Sequence, residues 1–234
     1  MNRSVLITGG SRGIGRATAD AFLAQGDRVA VLSRNGGGPE DALALECDVT
    51  DVEQVDAAFK QAEAAHGPVE VLISNAGIVR DNLMLRMSPE DFTSVIDTNL
   101  TGPALLAKRA LRGMLRAKRG RIVFISSAVS LRGEAGQANY AAAKAGLIGL
   151  ARSLAREYGS RGITVNVVSP GLTDTDMAGT IDEAKRAELI GQIPLQRMAA
   201  PEEIAAAVAF ISSPAASYIT GAILPVDGGS SMGH

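Results

Sequence analysis

Tyr140 and Lys144 lie four residues apart in an alanine-rich segment. Residues at i and i+4 share one face of a helix, so the Lys144 ammonium is expected beside the Tyr140 phenol. A nearby cation favours phenolate and would lower the tyrosine pKa from its ordinary value of about 10. The spacing therefore predicts a tyrosine that gives and takes a proton near neutral pH. Such a pair also arises by chance, so its meaning depends on the elements around it.

Those elements follow from alternating apolar and helical patterns along most of the chain. The alternation predicts an α/β fold, with buried parallel strands joined by crossover helices. The predicted strands are residues 4–8, 28–33, 44–47, 69–74, 121–126, 164–169 and 222–226. The predicted helices are residues 15–24, 52–65, 89–118, 140–159, 183–191 and 201–212. No linker or repeat divides the chain, so residues 1–234 are expected to form a single domain.

Composition narrows the class of protein. The chain has 234 residues, 46% of them hydrophobic and 21% charged, with a formal net charge of −2. These values are typical of a globular protein and give no basic surface for nucleic acid. The N-terminal apolar run is too short for a signal or a membrane span, so a cytoplasmic protein is expected. With two His and Cys47 as the single cysteine, we expect no disulfide and no metal site.

A glycine-rich turn of sequence TGGSRGIG follows the first predicted strand at residues 8–15. Glycines there let the backbone approach a pyrophosphate, and the helix that follows offers free amides and a positive dipole. The turn predicts a dinucleotide site. Its expected cofactor contacts are Gly9, Ser11, Arg12, Gly13, Ile14 and Gly15.

The end of the second strand indicates which dinucleotide binds. An acidic residue there suits the ribose of NAD, whereas a 2′-phosphate requires cations. Here Ser33 and Arg34 occupy the position, with Arg12 nearby in the glycine turn, which favours NADP(H) unless Arg34 simply faces solvent. Further contacts are expected after the third strand, at Asp48 and Val49, and after the fourth, at Asn75, Ala76 and Gly77.

Taken together, the chain resembles the short-chain dehydrogenase/reductase family over essentially its whole length. The residues that carry this resemblance are the glycine turn, Asn75-Ala76-Gly77, Asn99, Ser127, Tyr140, Lys144 and Pro170-Gly171. Within the family it is most similar to 3-oxoacyl-[acyl-carrier-protein] reductases, in residues 136–140, 161–167, 174–177 and 218–221. Residues 47–51, 67–77 and the ending at residues 232–234 resemble the actinobacterial type. The resemblance implies a Rossmann fold with a doubly wound, seven-stranded parallel sheet and helices on both faces.

The resemblance also implies roles for individual residues. NADPH would reduce the C3 carbonyl of a 3-oxoacyl thioester, with Tyr140 as the proton donor and Ser127 holding the carbonyl oxygen. Lys144 would tune Tyr140 and bind the nicotinamide ribose, and Asn99 would hold a proton-relay water. Ser126 competes with Ser127, but strand alternation lets only one reach the substrate and the thirteen-residue spacing to Tyr140 selects Ser127. Further cofactor contacts are expected at Tyr140, Lys144, Pro170, Gly171, Thr173 and Thr175.

The expected partner is an acidic acyl carrier protein, docked by cations near the pocket mouth. Lys118, Arg119, Arg121 and Arg161 are candidates, although basic residues near helix ends are common for dipole reasons alone. Residues 177–196 are expected to cover the acyl pocket, and the resemblance suggests a homotetramer. Ser74 and Thr173 depart from the family pattern and would affect cofactor affinity. Alternative substrates are acetoacetyl-CoA or a polyketide, and a non-catalytic NADP-binding regulatory subunit is a further reading.

Overall fold

Parallel strands form a single sheet at the centre of the protein. A computed structural model describes residues 2–176, 179 and 182–232. The strands of the sheet are β1 (Ser4–Thr8), β2 (Arg28–Ser33), β3 (Leu43–Glu46), β4 (Val71–Ser74), β5 (Gly120–Ile125), β6 (Ile163–Pro170) and β7 (Ile223–Val226). Their order is β3-β2-β1-β4-β5-β6-β7, with every neighbouring pair parallel. The expected doubly wound, seven-stranded parallel sheet is therefore confirmed.

Helices cover both faces of this sheet. They are α1 (Gly13–Ala24), α2 (Val52–His66), α3 (Pro89–Ile96), α4 (Gly102–Ala117), α5 (Val129–Arg132), α6 (Ala138–Tyr158), α7 (Glu183–Gly191) and α8 (Pro201–Ile211). Short 3₁₀ turns occur at Met84–Arg86, Gly159–Arg161 and Pro214–Ala216. Within the described ranges, no helix is long and apolar enough to cross a membrane.

The sheet separates two apolar cores. In β1, Leu6 packs in one core with Phe59 of α2, whereas Val5 and Ile7 pack in the other with Phe22 of α1. The first core also contains side chains from α4 and α6, and the second contains side chains from α8. Burying a large apolar side chain contributes about 1.5–3 kcal/mol, which explains why the strands are continuous apolar runs.

Most predicted elements agree with the structure to within one or two residues, but one helix differs. Residues 89–118 do not form a uniform α-helix, because a π-helical segment, Asp97–Thr101, separates α3 from α4. π-Helical segments are frequent at functional sites. The break contains Asn99, one of the predicted site residues.

The strand order creates a crevice at one edge of the sheet. The chain passes from β1 to β2 in one direction and from β4 to β5 in the other, so connections leave the adjacent strands β1 and β4 on opposite sides. In open parallel sheets, ligands bind outside the carboxyl ends of the strands at such a point. The segments that follow Thr8, Ser74, Ile125 and Pro170 therefore meet at this edge.

Candidate active site

A cleft of about 760 Å³ lies at the carboxyl edge of the sheet. This volume suits a small-molecule ligand. Most of the predicted site residues line the cleft: Gly9, Ser11, Arg12, Gly13, Ile14, Ser33, Arg34, Asp48, Val49, Asn75, Ala76, Gly77, Ser127, Tyr140, Lys144, Pro170, Gly171, Thr173 and Thr175. Gly15 and Asn99 are buried and are not part of this lining.

The glycine turn is built so that backbone can approach a ligand. Gly9 and Gly13 have φ of +68° and +54°, in the left-handed region that favours glycine. A methyl group at Gly15 would collide with the carbonyl oxygen of Gly9. Helix α1 begins at Gly13, and the side chain of Arg12 does not cap it. The leading amides of α1 are thus suited to a pyrophosphate, as the dinucleotide prediction requires.

Thr8 braces this turn against the end of β4, a role that the sequence reasoning missed. The buried Thr8 Oγ1 accepts hydrogen bonds from the backbone N–H groups of Asn75 and Ala76, both at 3.0 Å. Asn75 Nδ2 donates in return to the carbonyl oxygens of Thr8, at 3.0 Å, and Gly9, at 3.2 Å. A hydroxyl at the last residue of the first strand was the available signal. The brace fixes the distance between the glycine turn and the Asn75-Ala76-Gly77 segment.

The predicted 2′-phosphate contacts lie together at one end of the cleft. Arg34 is exposed there, and Arg12 forms an exposed ion pair with Asp176 at 3.2 Å. Ser33 Oγ is hydrogen-bonded to Gly37, 3.0 Å from its N and 3.2 Å from its O, which holds the loop after β2. The cationic character expected at this end is therefore present. To bind a phosphate, the Arg12 guanidinium would have to leave Asp176.

Ser127, Tyr140 and Lys144 converge on the cleft from two elements. Ser127 follows β5, and its hydroxyl is hydrogen-bonded to the Tyr140 phenol, which α6 carries in its first turn. One turn later, Lys144 Nζ donates to the carbonyl oxygen of Ile125 at 2.8 Å. It lies 5.6 Å from the centre of the Tyr140 ring. The i, i+4 spacing thus places the two side chains together, as predicted.

The Tyr140 pKa was predicted to be lowered by Lys144, and this prediction is wrong. Burial raises the pKa of Tyr140 to about 12, the hydrogen bond from Ser127 opposes this increase, and the Asp81 carboxylate adds to it. Burial also lowers the pKa of Lys144 to about 8. The lysine ammonium points to the Ile125 carbonyl and is almost fully buried, and the Tyr140 side chain is partly buried, so desolvation disfavours both charged forms. Tyr140 is therefore held as a neutral phenol.

The two candidate serines have different surroundings. Ser126 is 3% exposed, and its Oγ lies 2.9 Å from the carbonyl oxygen of Lys144 and 3.0 Å from Ser130 Oγ. Ser127 is partly exposed and interacts with the Tyr140 phenol. Ser126 thus anchors α6 to the end of β5, and Ser127 is the serine whose hydroxyl interacts with the Tyr140 phenol in the cleft.

Asn99 is completely buried behind the cleft in the π-helical segment. Its Oδ1 accepts from the N–H of Ile78 at 2.9 Å, and its Nδ2 donates to the Ile78 carbonyl at 2.8 Å. The side chain is therefore engaged with backbone. The backbone carbonyl oxygen of Asn99 has no α-helical partner. In an α-helix it would accept from the N–H of residue 103, but that residue is Pro103 and has no N–H. A Cβ at Gly77 would lie 2.9 Å from Asn99 Oδ1 and 3.5 Å from Lys144 Nζ, so glycine leaves room between them.

Asn139 is a second residue that the sequence reasoning missed as part of the site. It is fully buried, its Oδ1 accepts from the Tyr140 N–H at 2.7 Å, and its Nδ2 donates to the Arg80 carbonyl at 2.9 Å. It therefore ties the start of α6 to the segment after β4. An amide next to the candidate catalytic tyrosine at a helix start was the only sequence signal.

The segment after β6 lines the cleft and reaches the glycine turn. A Cβ at Gly171 would lie 2.7 Å from Asp227 Cα, and Thr175 Cγ2 lies 3.2 Å from the position of a Cβ on Gly13. Thr173, one of the two departures, is buried and donates to the Gly171 carbonyl at 3.0 Å. The other, Ser74, has a buried hydroxyl with no hydrogen-bond partner among the described residues. Thr173 thus lies in the wall of the cleft and Ser74 is buried behind it, and neither is a proton-transfer group.

The predicted docking cations do not lie at the mouth of the cleft. Lys118, Arg119 and Arg121 are at the end of α4 and the start of β5, and Arg161 precedes β6. Parallel strands begin at one edge and end at the other, so these cations lie at the edge opposite their own chain's cleft. Arg119 pairs there with Glu70 at 2.9 Å. Their expected place near the mouth is wrong for a single chain.

The expected cover over the acyl pocket is only partly described. Residues 177, 178, 180 and 181 of the predicted stretch 177–196 lie outside the described residues, as do residues 233 and 234 of the predicted ending. Helix α7 lies beside the cleft, which Lys185, Leu189 and Ile193 help to line. Within the described ranges, no group of three or more His, Cys, Asp and Glu could hold a metal ion.

A parallel Rossmann-type sheet with Ser, Tyr and Lys beside a dinucleotide cleft defines the short-chain dehydrogenase/reductase class, and the chain belongs to this family. The matching family profile, described as enoyl-(acyl carrier protein) reductase, covers residues 9–231. The chain is 50% identical to "3-oxoacyl-[acyl-carrier-protein] reductase MabA" of Mycobacterium avium, over 100% of the chain and 92% of that protein. Identity to the MabA protein of Mycobacterium tuberculosis is also 50%, over 100% and 95%. The Escherichia coli protein FabG, with the same enzyme name, is 45% identical over 97% and 96%. The resemblance drawn from the motifs is confirmed.

Proposed function

We propose that this protein is an NADPH-dependent reductase that converts 3-oxoacyl-[acyl-carrier-protein] to the (3R)-3-hydroxyacyl product in fatty-acid synthesis. The observation that carries the proposal is the convergence of Ser127, Tyr140 and Lys144 on a cleft whose other end is a glycine turn suited to a pyrophosphate. The identity of 44–50% to proteins named 3-oxoacyl-[acyl-carrier-protein] reductase, over nearly the full chain, supports this substrate class.

Tyr140 would protonate the oxygen of the C3 carbonyl as it becomes an alkoxide. NADPH supplies the hydride when bound. A secondary alkoxide is a much stronger base than phenolate, so a phenol with its pKa raised to about 12 still transfers its proton favourably. The Ser127 hydroxyl, hydrogen-bonded to this phenol, would donate to the same oxygen and fix its position.

Lys144 and Asn99 would return a proton to Tyr140 after each turnover. Lys144, with its pKa lowered to about 8, can give up a proton near neutral pH. The Asn99 carbonyl lies in the π-helical segment and has no α-helical donor at Pro103, which suits it to hold a relay water. Lys144 would also bind the nicotinamide ribose.

Arg12 and Arg34 would select NADPH over NADH through the 2′-phosphate. Arg12 and Arg34 follow the adjacent strands β1 and β2 and both line the cleft, and no acidic ribose ligand occupies the end of β2. Gly9, Ser11, Gly13, Ile14, Ser33, Asp48, Val49, Asn75, Ala76, Gly77, Pro170, Gly171, Thr173 and Thr175 would form the rest of the cofactor surface, with Gly15 behind the turn.

We also propose that residues 1–234 form one domain, because β1 and β7 from opposite ends of the chain belong to the same sheet. The family suggests a cytoplasmic homotetramer. Since Lys118, Arg119, Arg121 and Arg161 lie far from their own cleft, docking of an acidic carrier protein by these cations requires that a neighbouring copy place them near another mouth.

Steady-state kinetics with matched thioesters tests the function. We expect NADPH-dependent reduction, with kcat/KM higher for acetoacetyl-[acyl-carrier-protein] than for acetoacetyl-CoA. Equal or lower values on the carrier-bound substrate would favour the alternative, a reductase of CoA-bound or polyketide ketones. Absence of turnover with all of these substrates, together with intact NADPH binding, would favour the non-catalytic regulatory subunit.

A further inference from the structure

Hydrogen bonds fasten the segment after β4 to the start of the helix that carries Tyr140. The Asn82 N–H donates to the Gly136 carbonyl at 2.9 Å, which is a backbone contact. Gln137 Nε2 donates to Asp81 Oδ2 at 2.8 Å, which is a contact between side chains. Asp81, Gln137 and Tyr140 all line the cleft. The Asp81 to Gln137 contact thus brings a carboxylate to the wall that holds the proton donor.

Gln137 occupies the position that starts α6. Its carbonyl accepts from the Ala141 N–H at 2.8 Å, which is the first α-helical hydrogen bond of α6. Its side chain makes no capping contact with the helix and reaches Asp81 instead. Holding Gln137 therefore holds the first turn, in which Tyr140 lies.

The Asp81 charge also acts on the phenol directly. The carboxylate contributes to the raised pKa of Tyr140. A negative charge near a phenol disfavours phenolate, so it keeps the proton on the group that must donate it.

Other charged groups face this region from the packed elements. Lys144 approaches from α6, Arg80 from the segment after β4, and Lys185 from α7 beside the cleft, where it pairs with Glu188 at 3.1 Å. Arg132, the last residue of α5, forms a 3.0 Å ion pair with Glu134, which lies between α5 and α6. Asp91, in the first turn of α3, offers its backbone carbonyl to Asn139.

We propose that Asp81 is a positioning residue for proton donation by Tyr140, acting through Gln137 on the first turn of α6 and through its own charge on the phenol. The proposal rests on the proposed reductase function. Asp81 would thus contribute to proton donation in two ways, through its hydrogen bond to Gln137 and through its charge. Different substitutions remove these two contributions one at a time.

Asp81→Asn keeps an acceptor oxygen for Gln137 but removes the charge. We expect kcat at pH 7 to stay within about threefold of the wild type, while the alkaline fall of kcat moves to lower pH by a few tenths of a unit. Because Asp81 is exposed, raising the ionic strength should shrink this difference. Glu157→Gln is the matched control, since Glu157 is an exposed acid beside Tyr158 at the far end of the same helix. It should leave the pH profile unchanged.

Asp81→Ala and Gln137→Ala each remove the hydrogen bond. Each should lower kcat by about five- to tenfold without changing KM for NADPH, and the double variant should lose no more than the larger single loss. Gln137→Ala leaves the Asp81 charge in place, so the alkaline fall of kcat should occur at the same pH as in the wild type.

The proposal would be overturned if the double variant lost kcat by the product of the two single losses. It would also be overturned if the alkaline fall of kcat in Asp81→Asn occurred at the same pH as in the wild type. Inactivity of the wild-type enzyme itself would reject the proposed function together with this inference. That result is distinguishable from active variants with unchanged profiles.

Discussion

The phosphate turn, residues 8–15, and the catalytic wall, residues 126–144, face each other across one cleft but are built differently. In the phosphate turn the groups that face the ligand are backbone groups. They are positioned by glycines, at which an added Cβ would collide with neighbouring atoms, and by the Thr8 hydroxyl. In the catalytic wall they are side chains, whose properties depend on burial and on distant partners such as Ile125 and Asp81. A backbone site is readable from residue type. For a site made of side chains, the sequence predicts which residues belong to it but not their pKa values.

The largest effect is expected when only the proton donor of the catalytic wall is removed and the phosphate turn is left unchanged. Tyr140→Phe should lower kcat by about 10³-fold, because general acid catalysis contributes factors of about 10² to 10⁴. NADPH affinity, measured by fluorescence titration, should change little, since the phosphate turn is untouched. Residual activity within tenfold of the wild type would show that another group supplies the proton.

A pH titration of stability tests the environment of Lys144. Its pKa is about 8 in the folded protein and has an ordinary value of 10.5, so the unfolded chain binds the proton more tightly. Stability should therefore rise as pH increases from 8 towards 10.5, by up to about 3 kcal/mol relative to Lys144→Met, and the cost should be fully present below pH 8. Denaturant unfolding of both proteins between pH 7 and pH 10 measures this. Parallel curves would mean that the lysine is solvated.

In the phosphate turn, Gly15→Ala should damage the backbone geometry itself. The added methyl group would collide with the Gly9 carbonyl and push the turn away from β4. We expect NADPH affinity to fall by at least about 30-fold, roughly 2 kcal/mol. The control is Gly149→Ala in α6, where an added Cβ meets no atom within 4 Å. Equal affinities for the two variants would contradict a turn controlled by close approach.

The smallest expected effect concerns Ser74 at the end of β4. Its hydroxyl is buried without a hydrogen-bond partner among the described residues, so Ser74→Ala should raise thermal stability, by about 1 kcal/mol. A loss of stability would indicate a partner for this hydroxyl. A loss of NADPH affinity would show that the departure at this position contributes to the cofactor surface.

Secondary structure was largely predictable, and the reason is visible in β1 and β2. The predicted limits of both strands agree with Ser4–Thr8 and Arg28–Ser33, because strands buried on both faces must be apolar throughout. The helix at residues 89–118 was less predictable. No glycine or proline interrupts residues 90–101, so the sequence did not mark Asp97–Thr101, where the backbone changes to a π-helix.

The sequence alone determined the fold class and the glycine turn, because spacing and residue type fix backbone geometry locally, and its resemblance to the short-chain dehydrogenase/reductase family indicated that Ser127, Tyr140 and Lys144 share one site. Only the tertiary structure decided that burial raises the Tyr140 pKa to about 12. Only it placed the basic residues of 118–121 at the opposite edge of the sheet and joined Arg80 and Asp81, which follow β4, to the start of α6. Desolvation and long-range hydrogen bonds depend on segments far apart in the chain, and local patterns do not encode them.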